Sequence, residues 1–180
     1  MAKVLYSAAM SLDGFIAGAG GDMSWLAEHT GPNPVAGELI ATTGALLVGA
    51  RTFGGDDPHR GTEAEGKAFG GGWEGPQFVL THNPPDDPVP GVTFVGDLDT
   101  ALAAAKAAAG EKRVLVLGAE TARGCLETGA LNEVVVSVVP VLLGDGVRLF
   151  DHPGGTKVKL ERISLTHTPQ ITNIWLRVLG

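Results

Sequence analysis

Apolar residues along this chain gather in short blocks that end in glycine, proline or a small hydroxyl residue. Blocks of branched and apolar residues bounded by turn residues read as strands, and apolar positions three and four apart read as helices. On this reading residues 3–9 form a first strand, and 45–49 (ALLVG) a second with the composition of a fully buried one. Residues 77–81, 92–95 and 113–117 (RVLVL) supply three more, and 133–139 (EVVVSVV) is β-branched almost throughout. Between these blocks, 34–43 carries Val35, Leu39 and Thr43 at helical spacing. Residues 99–109 (DTALAAAKAAA) are alanine-rich, open on an acid and stop at Gly110, and 120–128 reads as a second long helix. Residues 158–165 and 171–178 alternate and are expected to close the chain as an antiparallel pair, with Ile174, Leu176 and Val178 on one face and Asn173, Trp175 and Arg177 on the other. Strands alternating with helices predict an α/β fold around a largely parallel sheet. No repeat or linker interrupts it, so residues 1–180 are expected to form one domain. The stretch 53–76 holds eight glycines and little periodicity, and a loop of that length in a compact domain is usually functional.

Composition narrows the function. Hydrophobic residues make up 44% and charged residues 18%, enough for a packed core. The net charge of −7 argues against a nucleic-acid partner, which needs a basic face. The single Cys125 excludes an internal disulfide and fits a reducing cytoplasm. No uncharged apolar stretch reaches membrane-spanning length and no basic-then-apolar leader opens the chain, so no membrane association is expected. His29, His59, His82, His152 and His167 are scattered without ligand spacing, and no metal site is expected.

Three strand ends carry the chemistry. They are Val48-Gly49-Ala50-Arg51-Thr52, Leu80-Thr81-His82-Asn83 and Leu117-Gly118-Ala119-Glu120-Thr121. In an open parallel sheet, ligands bind beyond the carboxyl ends of the strands, where helix starts offer unpaired N–H groups to an anion. Small residues admit a pyrophosphate, and threonine or arginine adds hydrogen bonds or charge. One such junction is ordinary; three in a small domain point to a nucleotide. No phosphate-loop lysine pattern and no G-x-G-x-x-G are present, which disfavours the usual triphosphate and dinucleotide folds.

The S-L-D-G-x-I-A stretch at 11–17, G-x-x-T at 49–52, V-x-T-H at 79–82, the Gly118-Ala119 pair and P-V-L-L-G-D-G-V-R-L-F at 140–150 together resemble the dihydrofolate reductase-like superfamily. Within it they are most similar to the reductase domain of the bifunctional riboflavin-biosynthesis deaminase-reductase. The resemblance implies a mostly parallel twisted sheet with an antiparallel C-terminal hairpin, helices on both faces, and NADPH extended along the strand ends. It also implies that Ala9, Ile16 and Ala17 face the nicotinamide. Gly49, Arg51 and Thr52 would hold the pyrophosphate from one side, and Leu117, Gly118, Ala119, Glu120, Thr121 and Ala122 from the other. Thr81 and His82 would sit near the adenosine ribose and its phosphate, and Asp56 beside the cofactor. The chain departs from the family at three positions. Leu117 stands where riboflavin reductases carry an acid, Ala119 where they carry a second glycine, and Ala50 where dihydrofolate reductases often carry arginine. Glu38 is the only acid on the 34–43 helix that could protonate a pterin.

Asp13 is the carboxylate best placed for catalysis, and as an aspartate before glycine it is equally suited to capping its own turn. Trp25 reads as a pocket-edge aromatic or as core. Trp73, among Gly70, Gly71 and Gly72, reads as a substrate contact or as a plug for its loop. The expected activity is an NADPH-dependent reduction of a small heterocyclic or carbonyl substrate. The alternatives are a non-catalytic nucleotide-binding protein on the same fold and a flavin- or deazaflavin-using oxidoreductase. A homodimer is expected, through 133–139 or the last hairpin.

Overall fold

A computed structural model describes all residues, Met1–Gly180. Eight strands form one sheet: β1 (Val4–Ser11), β3 (Thr43–Gly49), β4 (Gln77–Leu80), β5 (Val92–Val95), β6 (Arg113–Leu117), β7 (Glu133–Val139), β9 (Lys159–His167) and β10 (Thr172–Leu179). Their order across the sheet is β5-β4-β3-β6-β1-β7-β10-β9. Every pairing is parallel up to β7, and the two contacts of β10 are antiparallel. The expected mostly parallel sheet with a C-terminal hairpin is therefore the fold. Two short strands add to the expected set, β2 (Phe15–Ala17) and β8 (Val147–Arg148), which pair with each other apart from the main sheet. They are too short to show an alternating pattern.

The helices are α1 (Pro34–Thr42), α2 (Ala50–Phe53), α3 (Leu98–Ala109) and α4 (Ala119–Glu127). Local chemistry sets their ends. Asn33 caps α1 by accepting from the Val35 amide with Pro34 in the first turn, Asp97 caps α3 through the Thr100 amide, and Gly110 at φ 60° ends α3. The short α2 leads into the glycine-rich stretch.

Strand residues alternate between two cores. Val4, Tyr6, Ala45, Leu47, Val114, Val116, Val134 and Val136 pack with α3 and α4 on one face. Leu5, Leu46, Val48, Leu115, Val135 and Trp175 pack on the other with Val35 and Leu39 of α1 and with Trp73. Helices thus cover both faces. Cys125 is fully buried in the first core. In β10 the face bearing Asn173 and Trp175 is the buried one, although Asn173 is polar. Its amide is satisfied by a reciprocal pair with Asn33, by the Ser137 hydroxyl at 2.7 Å and by Thr166.

The amino ends of the central strands are closed by charge. Glu133 of β7, 2% exposed, accepts from Lys3 Nζ at 2.8 Å, Arg113 Nε at 3.1 Å and Trp175 Nε1 at 3.1 Å. Burial pushes its carboxyl up, but the Lys3 bond and the Arg113 charge outweigh it, and the group stays below its ordinary range. No helix is long and apolar enough to cross a membrane.

Candidate functional site

The opposite, carboxyl ends of the strands are open. β1 pairs with β6 only from Val4↔Val114 to Tyr6↔Val116, while its pairing with β7 continues to Ser11↔Val139. Beyond Tyr6 the β6-facing edge of β1 therefore has no strand beside it, because β6 ends at Leu117 and turns into α4. This is where the strand order reverses, the position at which open α/β sheets bind ligands. Ala8 and Ala9 line it with little bulk, and Ala9 is half-buried.

Two turns of nearly the same sequence border this crevice, Gly49-Ala50-Arg51-Thr52 after β3 and Gly118-Ala119-Glu120-Thr121 after β6. In each the glycine is the residue before a helix, and neither helix start is capped by a side chain. Their contacts are reciprocal. A Cβ on Gly118 would lie 2.6 Å from Thr52 Oγ1, and a Cβ on Gly49 would lie 2.8 Å from Thr121 Oγ1. Each threonine thus sits on the other turn's glycine. Gly118 also has φ 104°, a conformation side chains avoid. Above them Arg51 Nη2 and Glu120 Oε1 form an exposed ion pair at 2.7 Å. Leu117 and Ala119 are half-buried and Ala122 is buried beneath them. The arrangement offers the exposed Thr52 hydroxyl, a cation and the uncapped first amides of α4 around a surface with no side chains at Gly49 and Gly118. That surface can receive an anionic, extended group.

The opening loop forms the other border. Ser11, fully buried, donates to Asp13 Oδ1 at 2.6 Å and accepts from the Phe15 amide. The amides of Leu143 and Gly144 donate to Asp13 at 3.1 and 2.7 Å. Leu12 N–H bonds Val141 O and Leu149 N–H bonds Gly14 O, while β2 pairs with β8. Gly146, at φ 138°, lets the backbone pass directly against Ala17. Ile16 and Ala17 are thus positioned by the segment 140–150. The Ser11 hydrogen bond, with those from Gly144 and Leu143, lowers the Asp13 pKa to about 2. A carboxylate held ionised in this way is a clamp and has no proton to donate near neutrality. These contacts give Asp13 the turn-shaping role that the sequence set beside the catalytic one. The sequence already held the signal, a serine two residues before an Asp-Gly turn.

Farther along, Asp56 accepts from the Met23 amide at 3.0 Å and pairs with Arg60, so its carboxylate ties the Gly-rich opening loop to the end of α2. The Met23 bond is the main cause of its lowered pKa. Trp25 lies in a 3-10 turn (Ser24–His29), half-buried, with Nε1 lacking a protein acceptor. Thr81 accepts from the Asn83 amide and shapes its own turn, and His82 is exposed near Gly96. Trp73 belongs elsewhere. It is buried in the α1-side core and donates to Thr43 O at 3.1 Å, so it plugs its loop and is no substrate contact. Glu38 faces solvent on α1, which leaves that helix without a buried acid.

An α/β protein with a mostly parallel sheet, an antiparallel C-terminal hairpin and helices on both faces has the dihydrofolate reductase-like fold. The chain belongs to the RibD C-terminal domain family, whose model matches residues 2–173. It is 28% identical over 162 residues to the uncharacterized protein YwjB of Bacillus subtilis strain 168, covering 88% of this chain and 89% of that one. A protein classed with riboflavin biosynthesis from Shewanella sp. PV-4 superimposes with a TM-score of 0.74 at 26% identity, each chain covered in full. The riboflavin biosynthesis reductase Rib7 of Saccharomyces cerevisiae superimposes at 0.67 with 16% identity, over 99% of this chain and 90% of that one, and so shares the fold. The bifunctional deaminase/reductase of Thermotoga maritima does so at 0.68 and 19% identity, and this chain spans 57% of its length.

Proposed function

We propose that this protein is a reductase that uses NADPH to reduce a small heterocyclic or carbonyl substrate. The observation that carries the reading is the reciprocal pair of glycine turns beside the free edge of β1. The side-chain-free surface there would fit a pyrophosphate, with Gly49, Arg51 and Thr52 on one side and Leu117, Gly118 and Ala119 on the other, supported from beneath by the buried Thr121 and Ala122. Thr81 and His82, two strands farther from the crevice than β6, would lie toward the adenosine ribose and its phosphate.

When bound, NADPH supplies a hydride. The chain's own residues orient the ring and keep water away from it. Ala9 leaves room for a flat ring beside the free edge of β1, and Ile16 and Ala17 offer backbone and apolar contact from β2. The Asp13 clamp fixes that loop, and Asp56 ties its far end to α2. Trp25 would border the substrate side. Leu117 in place of an acid and the exposed Glu38 support a substrate other than the riboflavin intermediate or folate.

Titration with NADPH, followed by nicotinamide fluorescence, tests the reading. Saturable binding supports it, and no binding at high micromolar cofactor overturns it. Oxidation of bound NADPH by a member of a heterocycle and carbonyl panel separates a reductase from a protein that only binds the nucleotide.

A further inference from the structure

The twin turns differ in charge at one position. Both place alanine directly after the glycine and threonine third, but the second residue is Arg51 in one and Glu120 in the other. Because each threonine rests on the opposite glycine, the two helix starts are held side by side, and these second residues meet across them. The resulting pair is at 2.7 Å with both side chains largely in solvent, 83% and 63% exposed. Exposed pairs of this kind are weak and exchange partners readily. A carboxylate does not serve an anion site, since it repels the ligand and occupies the cation the ligand needs.

We propose that Glu120 is a built-in competitor for Arg51, an affinity-setting residue that holds the guanidinium across the turns until an anionic ligand takes it over. This rests on the reading of the twin turns as the site of a phosphate-bearing cofactor. Glu120 then does not hold the cofactor, contrary to what the family resemblance implies for this position. Its effect is to weaken binding and speed release while keeping Arg51 out of unproductive contacts in the free protein. The pair and the bound anion exclude one another, so ligand binding and the Arg51–Glu120 contact are thermodynamically linked.

The test is a double-mutant cycle with two readouts, NADPH affinity by fluorescence and thermal unfolding with and without cofactor. E120Q is expected to tighten NADPH binding roughly threefold at low salt, with a smaller gain at high salt. In an R51Q background the same change should gain less, since no cation remains to be released. Unfolding should show a coupling between 51 and 120 in the free protein that disappears at saturating NADPH. Unchanged or weaker binding by E120Q overturns the proposal and would make Glu120 a direct ligand or a bystander, as would a coupling that survives saturation. If the wild type binds no NADPH, the cofactor reading fails separately. The same cycle with inorganic pyrophosphate then decides, and no gain in E120Q overturns the competitor role.

Discussion

The two turns that border the crevice share three of four residues and yet stand on different foundations. Gly118 precedes a nine-residue helix whose Thr121, Ala122 and Cys125 are buried in the core. Gly49 precedes a four-residue helix with no buried residue, which runs straight into a glycine-rich loop. Their backbones differ too, Gly118 at φ 104° and Gly49 at φ −73°. One turn is a wall set in the core, and the other leans on it through Thr52 and Thr121. Similar sequence at two strand ends therefore does not mean similar rigidity. The helix after each turn, packed in one case and exposed in the other, decides which side of the site can move.

Substitution of the glycines tests this difference most severely. Gly118→Ala meets two obstacles, a backbone angle that side chains avoid and a Cβ 2.6 Å from Thr52 Oγ1. We expect a loss of roughly 2–4 kcal/mol in denaturant unfolding and loss of detectable cofactor binding. Gly49→Ala meets only one, because φ −73° suits alanine and the clash is with the Thr121 hydroxyl at 2.8 Å. We expect roughly 1–2 kcal/mol, and combination with Thr121→Ala should restore part of it. A Gly49→Ala loss as large as that of Gly118→Ala would erase the distinction between set wall and leaning wall.

This contrast is only half legible in the sequence, for physical reasons. The strands and the longer helices emerge from periodicity, and their expected ends fall within two residues of the observed ones, as with 99–109 against Leu98–Ala109. The three strand ends are visible as glycine and hydroxyl residues. Their mutual contacts are not, because Gly49 and Thr121 are far apart in the chain and meet only once β3 pairs with β6. The short α2 leaves no trace because four residues carry no period. For Asp13 the residue type is informative and the role is not. Its hydrogen-bond donors Leu143 and Gly144 come from 130 residues away, in a segment that reads on its own only as a turn. Trp73 misleads in the same way, since a tryptophan among glycines is compatible with a lid or a plug until Thr43 is seen beneath it.

A milder probe of the comparison removes side chains from the leaning turn without touching either backbone. Arg51 is exposed and Thr52 is exposed, so Arg51→Ala and Thr52→Ala should each change stability by no more than about 0.5 kcal/mol. Each should still weaken NADPH binding, Arg51→Ala by roughly tenfold as a charge-assisted contact is lost. The matching Thr121→Ala in the set wall should lower stability as well as binding, because Thr121 is 4% exposed. If Thr52→Ala and Thr121→Ala behave alike in both measurements, the two walls are equivalent after all.

The smallest effect expected concerns how the opening loop is anchored against these walls, and pH reveals it. Asp13 ties the loop to the segment 140–150, and its folded pKa of about 2 lies below its ordinary value of 3.8. The stabilisation it provides is therefore complete above about pH 4 and is lost as pH falls through 2. Wild type and Asp13→Asn should differ in unfolding midpoint by a constant amount from pH 8 down to about 4 and converge below that. Asp56, which anchors the other end of the loop to the α2 side, also has a lowered pKa, from the Met23 bond first and Arg60 second. Salt screens the Arg60 contribution but not the hydrogen bonds. The Asp56→Asn difference should accordingly shrink at high ionic strength, and the Asp13→Asn difference should not. Equal salt sensitivity in the two variants would mean that Asp13 is held by charge instead of by Ser11, Leu143 and Gly144.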